Sequence, residues 1–160
     1  MIKVRECVGN NVVSVGRGTP LRDIIRVFKE QKVQVIPVVE ESGRLAGKIS
    51  LDEITSVFQP QSAEINQLLE TMPFIDTQPE AELDIEYITP EMGILVVADE
   101  IMSSHYLTVS PDDSIMKAYS IMRKNDTKIL MVVDKEGRIS GVIGLFDIIY
   151  ALFQKKGIIK

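Results

Sequence analysis

Displaced by 94 positions, the two ends of this 160-residue chain superpose without a gap. Val15 falls on Val109, Val38 and Val39 on Val132 and Val133, and Gly43 and Arg44 on Gly137 and Arg138. Gly47 meets Gly141, Ile49 meets Ile143, Leu51 meets Leu145 and Ile54 meets Ile148. With Glu6 on Glu100 this makes ten identities, and most other positions keep their apolar or polar character. A gapless register joining two glycines, an arginine and an apolar pattern is hard to obtain by chance, so the chain is a tandem of two like units.

Each unit has the same internal order. PLRDIIRVFKEQ places Leu21, Ile24, Ile25 and Phe28 at helical spacing, with Thr19 as a cap and Pro20 at the first helical position. SIMKAYSIMRKN repeats the stripe with Ile115, Ala118, Tyr119 and Met122, capped by Asp113 or Ser114. The β-branched runs VQVIPVV and KILMVV read as buried strands. ESGR and KEGR are turns in which glycine takes positive φ, and they lead into the partner strands GRLAGKIS and GRISGVIG. LDEITSVF and LFDIIYALF close the units as helices. The predicted fold class is α/β, layered, with two β-α-β-β-α repeats.

A repeat of about 55 residues can cover only one face of such a sheet with its own helices. Backing that sheet onto its copy removes the other face from water, at roughly 25 cal/mol for each Å². The expected product is a pair with approximate two-fold symmetry and two related clefts between the units. The expected division is residues 1–58 for the first repeat, 59–96 for a partly helical insert, 97–155 for the second repeat and 156–160 for a tail.

Charge and cysteine usage narrow the function classes. Lys and Arg are absent between Lys48 and Lys117, where 14 of the 23 acidic residues fall. No helix joins basic clusters to interleaved aromatics, so nucleic acid is not an expected partner. The acidic centre reads as a solvated linker, or as a surface for a basic partner or cations. No apolar run is of transmembrane length and no signal-like segment opens the chain, so no membrane insertion is expected. The single Cys7 rules out an internal disulfide and a cysteine-cluster metal site, which makes the cytoplasm the expected location.

Catalytic residue types are scarce. His105 and Cys7 are the sole histidine and cysteine, far apart in sequence, and His105 reads as a polar loop residue. Asp52 with Glu53, and Asp112 with Asp113, are adjacent pairs that serve helix starts, whereas two-carboxylate catalysis needs groups facing across a cleft. A phosphate-gripping G-x-x-x-x-G-K-[ST] loop does not occur. The expectation is no enzyme, no catalytic residue and no metal site. What stands out instead is GVIGLFDII, which sets Asp147 at a predicted helix start just behind two glycines. Asp147 is there either a plain helix-start carboxylate or an acceptor for a ribose diol, beside N–H groups that suit phosphate.

The doubled set of motifs resembles a tandem of cystathionine-β-synthase (CBS) domains, the pair called a Bateman module. EIMSSHYLTVSPDDSIMKAYSIM and KILMVVDKEGRISGVIGLFDII carry the likeness best. VVSVGRGTPLRDIIRVFKE and VIPVVEESGRLAGKISLDEI repeat it more loosely, and the matches cover about two thirds of the chain.

The resemblance implies a non-catalytic module that binds adenosine-containing ligands, AMP, ADP, ATP or S-adenosylmethionine, in the clefts. Such modules regulate an associated enzyme, channel or transporter and commonly form homodimers. An adenine nucleotide is thus the candidate regulatory ligand, and no obligatory cofactor is implied. The family signature G-x-x-[ST]-x-x-[DN] sets a hydroxyl on phosphate and a carboxylate on ribose. Here it reads GKISLDE, with Gly47, Ser50 and Glu53, and GVIGLFD, with Gly141, Gly144 and Asp147. The first copy has the longer carboxylate and the second lacks the hydroxyl, a loss of about 0.5–1.5 kcal/mol or roughly 2- to 13-fold in affinity.

Lys128 occupies a place where the family often sets a phosphate-binding basic residue, with Gln34 opposite it in the first unit. A strand-edge lysine that blocks aggregation is the alternative. Ser50 can equally be a simple cap. Ser14, Val15, Ile36, Pro37, Thr108, Val109 and Leu130 complete the implied ligand-binding set. Val15, Ile36, Val109 and Leu130 are core side chains in the competing reading. Two other functions remain open: a structural dimerising or docking module with degenerate sites, and a divalent-cation sensor that uses the acidic centre. In the insert, SAEINQLLETM and EAELDIEYI read as short helices and MGILVV as a strand or an apolar docking segment. An insert of this length is expected to be ordered, packing over a helix or cleft or meeting a partner protein.

Overall fold

In both repeats an amphipathic helix precedes a β-hairpin, and a further helix follows directly from the hairpin's second strand. The computed structural model describes residues 1–9, 11–58, 71 and 85–160. The first repeat contains β1 (Val15–Gly16), α1 (Leu21–Gln31), β2 (Val35–Val39), β3 (Leu45–Ser50) and α2 (Leu51–Val57). Two single helical turns come next, α3 (Met92–Leu95) at the end of the insert and α4 (Ala98–Ile101) at the start of the second repeat. The second repeat contains β4 (Thr108–Val109), α5 (Ile115–Lys124), β5 (Ile129–Val133), β6 (Ile139–Gly144) and α6 (Leu145–Lys155). SAEINQLLETM and most of EAELDIEYI lie outside the described residues. MGILVV forms a helical turn over Met92–Leu95 and no strand of a sheet, and its last two residues dock on the first repeat, Val97 in a bridge with Pro20 and Val96 O accepting the Leu21 N–H, as an apolar docking segment would.

Each repeat builds a three-stranded sheet in which the hairpin's first strand is central. β1 runs parallel to β2, with Val15 opposite Val38, and β3 returns antiparallel, with Ile49 opposite Ile36. The second sheet repeats this register at the same offset, Val109 opposite Val132 and Ile143 opposite Leu130. Both hairpins turn on the expected glycines, Gly43 at φ 86° and Gly137 at φ 81°, a region where a Cβ is strained. The helix caps differ from expectation in detail. Pro20 is itself the N-cap of α1, while the Thr19 hydroxyl accepts the Gly16 N–H at 3.1 Å. Ser114 caps α5 by accepting the Lys117 N–H at 3.1 Å, and Asp113 accepts the Ser110 N–H instead.

The two cores are not built from contiguous sequence. Val15, Leu21, Ile24, Ile36, Val38, Ile49 and Ile54 of the first repeat enclose Ala98 from α4. Val109, Ile115, Ala118, Met122, Leu130, Val132, Ile143 and Ile148 of the second enclose Val4, which belongs to the 3-10 turn Val4–Glu6 near the N-terminus. Backbone hydrogen bonds make the exchange reciprocal at the 94-residue offset. Val4 N–H donates to Asp113 O at 2.9 Å and Ala98 N–H to Thr19 O at 2.9 Å. Ile115 N–H donates to Ile2 O at 3.1 Å and Leu21 N–H to Val96 O at 2.8 Å.

The second face of each sheet meets the other repeat. Side chains alternate along a strand, so Ile36 and Val38 enter the core under α1 while Val35 and Pro37 face the opposite way. Val35 and Pro37 are nonetheless buried, as is Met131 on the matching face of β5. The hairpin turns also meet: Leu45 N–H donates to Gly137 O and Ile139 N–H to Gly43 O.

Candidate functional site: paired clefts between the repeats

Two clefts open where the sheets come together, and each takes lining from both repeats. The larger, of about 720 Å³, is lined by Gly9, Asn11 to Val13, Lys32 to Val35, Lys128, Ile129, Gly141, Val142, Gly144 to Asp147 and Ile149. The other, of about 610 Å³, is lined by Lys48, Ser50 to Asp52, His105 to Leu107, Asp126 to Ile129 and Met131, with Gln34 and Val35. Most of these residues correspond at the 94-residue offset, so the clefts are related as the repeats are. Both volumes suit a small-molecule ligand. Gln34, Val35, Lys128 and Ile129 border both clefts, which places them near the axis relating the repeats.

The signature residues sit at the junction where β6 turns into α6 and β3 into α2. The Asp147 Oδ2 accepts the Gly144 N–H at 2.7 Å and so closes the first turn of α6. Its other oxygen accepts no hydrogen bond among the described residues. Capping thus uses one oxygen of a carboxylate that borders the larger cleft. Glu53 is more heavily engaged. Its Oε2 accepts the Ser50 N–H at 2.6 Å and the Ser50 hydroxyl, and its Oε1 lies 3.2 Å from Lys48 Nζ. The extra methylene lets this carboxylate fold back over its own helix start. Burial pushes the Glu53 carboxyl up, but the Ser50 hydroxyl and amide and the Lys48 ammonium together hold it below the usual range.

Of the remaining residues expected to touch ligand, Lys128 lines both clefts, Ser50 the smaller one and Gly144 the larger. Val15, Ile36, Val109 and Leu130 are core residues under the helices, and Pro37 is buried on the face between the repeats. None of these five lines a cleft: Ile36, Pro37 and Leu130 share strands with Val35, Ile129 and Met131, which do, while Val15 and Val109 lie in the core. Ser14, just before β1, and Thr108, the first residue of β4, are exposed and also outside the lining. Gly47 lies under the crossing chain: a Cβ there would sit 2.7 Å from Met102 Sδ and 2.9 Å from Ser103 O. Glu53 stands behind Ser50 and is not itself a lining residue.

Sequence reasoning passed over Lys32, Val12, Val13, Phe146 and Ile149 on one side and Lys48, Asp126, Tyr106 and Leu107 on the other. Lys32 and Asp126 sit at matched positions just past the first helix of their repeat, in the left-handed conformation at φ 52° and φ 49°. Cys7 is half-buried, and burial together with the charges of Glu6 and Asp147 pushes its thiol up, away from the thiolate a nucleophile requires. Among the described residues no His, Cys, Asp and Glu cluster could hold a metal ion.

Comparison with known proteins fixes the family. The pattern of the family described as CBS domain matches residues 4–59 and 97–154. The chain belongs to the CBS-domain family. As a CBS pair it is 30% identical over 135 residues to the uncharacterized protein MJ1426 of Methanocaldococcus jannaschii, covering 82% of this chain and 80% of that protein. It is 26% identical over 154 residues to the homoserine O-acetyltransferase of Methanosarcina acetivorans, where the match takes 96% of this chain but 22% of the enzyme. Among solved structures, CBSX2 in complex with AMP superposes with a TM-score of 0.69 at 18% identity, over 98% of this chain and 99% of that one. MJ1225 of M. jannaschii, described as a putative archaeal homologue of the γ subunit of AMPK, superposes with a TM-score of 0.70 at 24% identity, over 94% and 48%. At these identities the structural likeness establishes the fold of the CBS pair.

Proposed function

We propose that this CBS pair is a regulatory module that binds an adenosine-containing ligand in the cleft beside Asp147 and acts on an associated enzyme or transporter. The observation that carries the reading is the half-used Asp147 carboxylate, which borders a cleft of about 720 Å³ together with Lys128. A carboxylate oxygen accepts the two hydroxyls of a ribose, apolar Val12, Val13 and Ile149 suit a base, and lysines suit phosphate. The solved CBS pair with AMP bound supports the same ligand class. Sites on Ser14, Val15, Ile36, Pro37, Thr108, Val109 and Leu130 have less support, since these residues stand off the clefts. The role is read as non-catalytic, and the homodimer belongs to the same proposal. The exposed Phe146, Tyr150 and Phe153 of α6 are the surface a second copy would use. None of the described helices is long and apolar enough to cross a membrane, which suits the proposed cytoplasmic setting.

Titration by calorimetry and by melting temperature tests this. A ligand present at 100 times its Kd stabilises by about 2.7 kcal/mol, so AMP or ATP should raise the melting temperature in proportion to its affinity. Asp147→Asn keeps a capping oxygen and removes the charge. Unchanged nucleotide affinity in that variant would refute the ribose role. Melting unaffected by adenine nucleotides or S-adenosylmethionine would favour a docking module, and a shift with Mg²⁺ alone would favour a cation sensor.

A further inference from the structure

The two clefts share one backbone design but not one charge. At the left-handed residue just past the first helix of each repeat, the larger cleft has Lys32 and the smaller has Asp126. The other lining positions push the same way. Lys32 and Lys128 face a single carboxylate, Asp147, in the larger cleft. In the smaller one, Lys48 and Lys128 are matched by Asp52 and Asp126, and Lys48 is already paired with Glu53 at 3.2 Å. Lys32 and Lys128 have no carboxylate within salt-bridge distance among the described residues, so both ammonium groups can turn to a ligand.

We propose that Lys32 and Asp126 sort ligands between the clefts by charge. Lys32, with Lys128, makes the Asp147 cleft the site for the phosphate chain of a nucleotide, whereas Asp126, with Asp52, turns phosphate away from the Ser50 cleft. The inference rests on the adenosine-ligand reading above and adds to it a residue that decides how many phosphates are tolerated and where. The balance of the linings is what carries it. A phosphate chain entering the larger cleft meets two unpaired cations, and in the smaller it meets two carboxylates with one cation already committed.

The test is calorimetric titration of the full chain with adenosine, AMP and ATP at low and at high salt. In the wild type, affinity should rise with phosphate number, and that rise should shrink at high salt because the lysines are exposed. Lys32→Asp should weaken ATP by about tenfold, two exposed charge interactions being altered at once, and leave adenosine within about twofold. Asp126→Lys should add or strengthen a second ATP site. Melting curves without ligand confirm that both variants fold. If adenosine and ATP lose affinity equally in Lys32→Asp, or neither changes, charge sorting is refuted while the adenosine-ligand reading stands. If none of the three ligands binds the wild type, that reading falls and takes the sorting with it.

Discussion

Gly47 and Gly141 occupy the same place in the repeated signature, yet the structure gives them different neighbours, and replacing each by alanine should separate them. A Cβ on Gly47 would lie 2.7 Å from Met102 Sδ, 2.9 Å from Ser103 O and 3.0 Å from Met102 Cγ. The methionine can retreat, but the carbonyl cannot move freely. Ser103 is tied to Lys48 by two backbone hydrogen bonds, Lys48 N–H to Ser103 O at 3.0 Å and Ser103 N–H to Lys48 O at 2.9 Å. Spreading that bridge forfeits part of both, at about 0.5–1.5 kcal/mol each. Removing a glycine from the unfolded chain returns about 0.4–1 kcal/mol. The net loss for Gly47→Ala is then about 1 kcal/mol at the middle of these ranges and at most about 2.5, or roughly 2–4 °C in melting temperature at the middle for a domain of this size. On Gly141 the Cβ would meet the Val8 side chain at 3.3 Å, a contact relieved by a shift of a few tenths of an ångström. Gly141→Ala should therefore be near neutral, because the unfolded-state gain offsets the crowding. Thermal melts of the two variants and of Gly47→Ala with Met102→Ala decide the matter. If Gly47→Ala melts no lower than Gly141→Ala, or if shortening Met102 restores it fully, the backbone crossing is not what demands glycine there.

Gly144→Ser restores the hydroxyl of the signature. A Cβ there would lie 3.4 Å from Asp147 Oδ2 and 3.8 Å from Lys128 O, ordinary contacts, so nucleotide affinity measured by calorimetry should rise about 2- to 13-fold. Acid should destabilise the protein through carboxylates whose pKa is depressed in the fold. For Glu53 burial raises the pKa but the Ser50 and Lys48 contacts lower it further, and for Asp113 the Ser110 N–H leads the lowering. Such groups stabilise the fold fully above their unfolded pKa of about 4, and that contribution disappears as pH falls through the lower folded value. Chemical denaturation from pH 6 down to pH 2 should show this loss, with a shallower acid slope in Glu53→Gln. Arg17 bonds Glu40, at 2.6 Å from its Oε1, and also Asp99 of the exchanged segment. All three side chains are well exposed, so Arg17→Ala should lower the melting temperature slightly at low salt and not at high salt.

The elements were legible because each has a local cause. A 3.6-residue stripe gives α1 and α5, β-branched runs give β2 and β5, and turn glycines fix the hairpins. The pairing of the repeats was legible too, since the doubled register leaves a sheet face that only a copy can cover. Which side chains line the clefts was harder to read. Ile36 and Val35 are adjacent and equally apolar, yet one enters the core and the other borders both clefts. Alternation supplies the two faces, but nothing local says which of them meets the partner sheet. Asp147 shows a different limit: helix capping and the proposed ligand binding ask for the same residue at the same place, and capping alone takes one carboxylate oxygen.

The exchange of segments had no local signature at all, although Glu6 on Glu100 extends the repeat into it. Its consequence is that each cleft is bordered by the chain that crosses between the repeats. Gly9 and Asn11 to Val13 follow the second repeat's core residue Val4 and line the Asp147 cleft; residues 105–107 follow the crossing at Ser103 and line the Ser50 cleft. Val4→Ala tests this link. Val4 is fully buried, and losing two methyl groups there should cost about 2 kcal/mol, roughly 4–8 °C. Because the lost contacts anchor the strap that borders the Asp147 cleft, hydrogen exchange should quicken in residues 4–8 and across β4 to β6, more than in β1 to β3. Nucleotide affinity should fall with it. Uniform loss of protection in both sheets would mean that the repeats open as one unit and that the strap carries no separate link to the cleft.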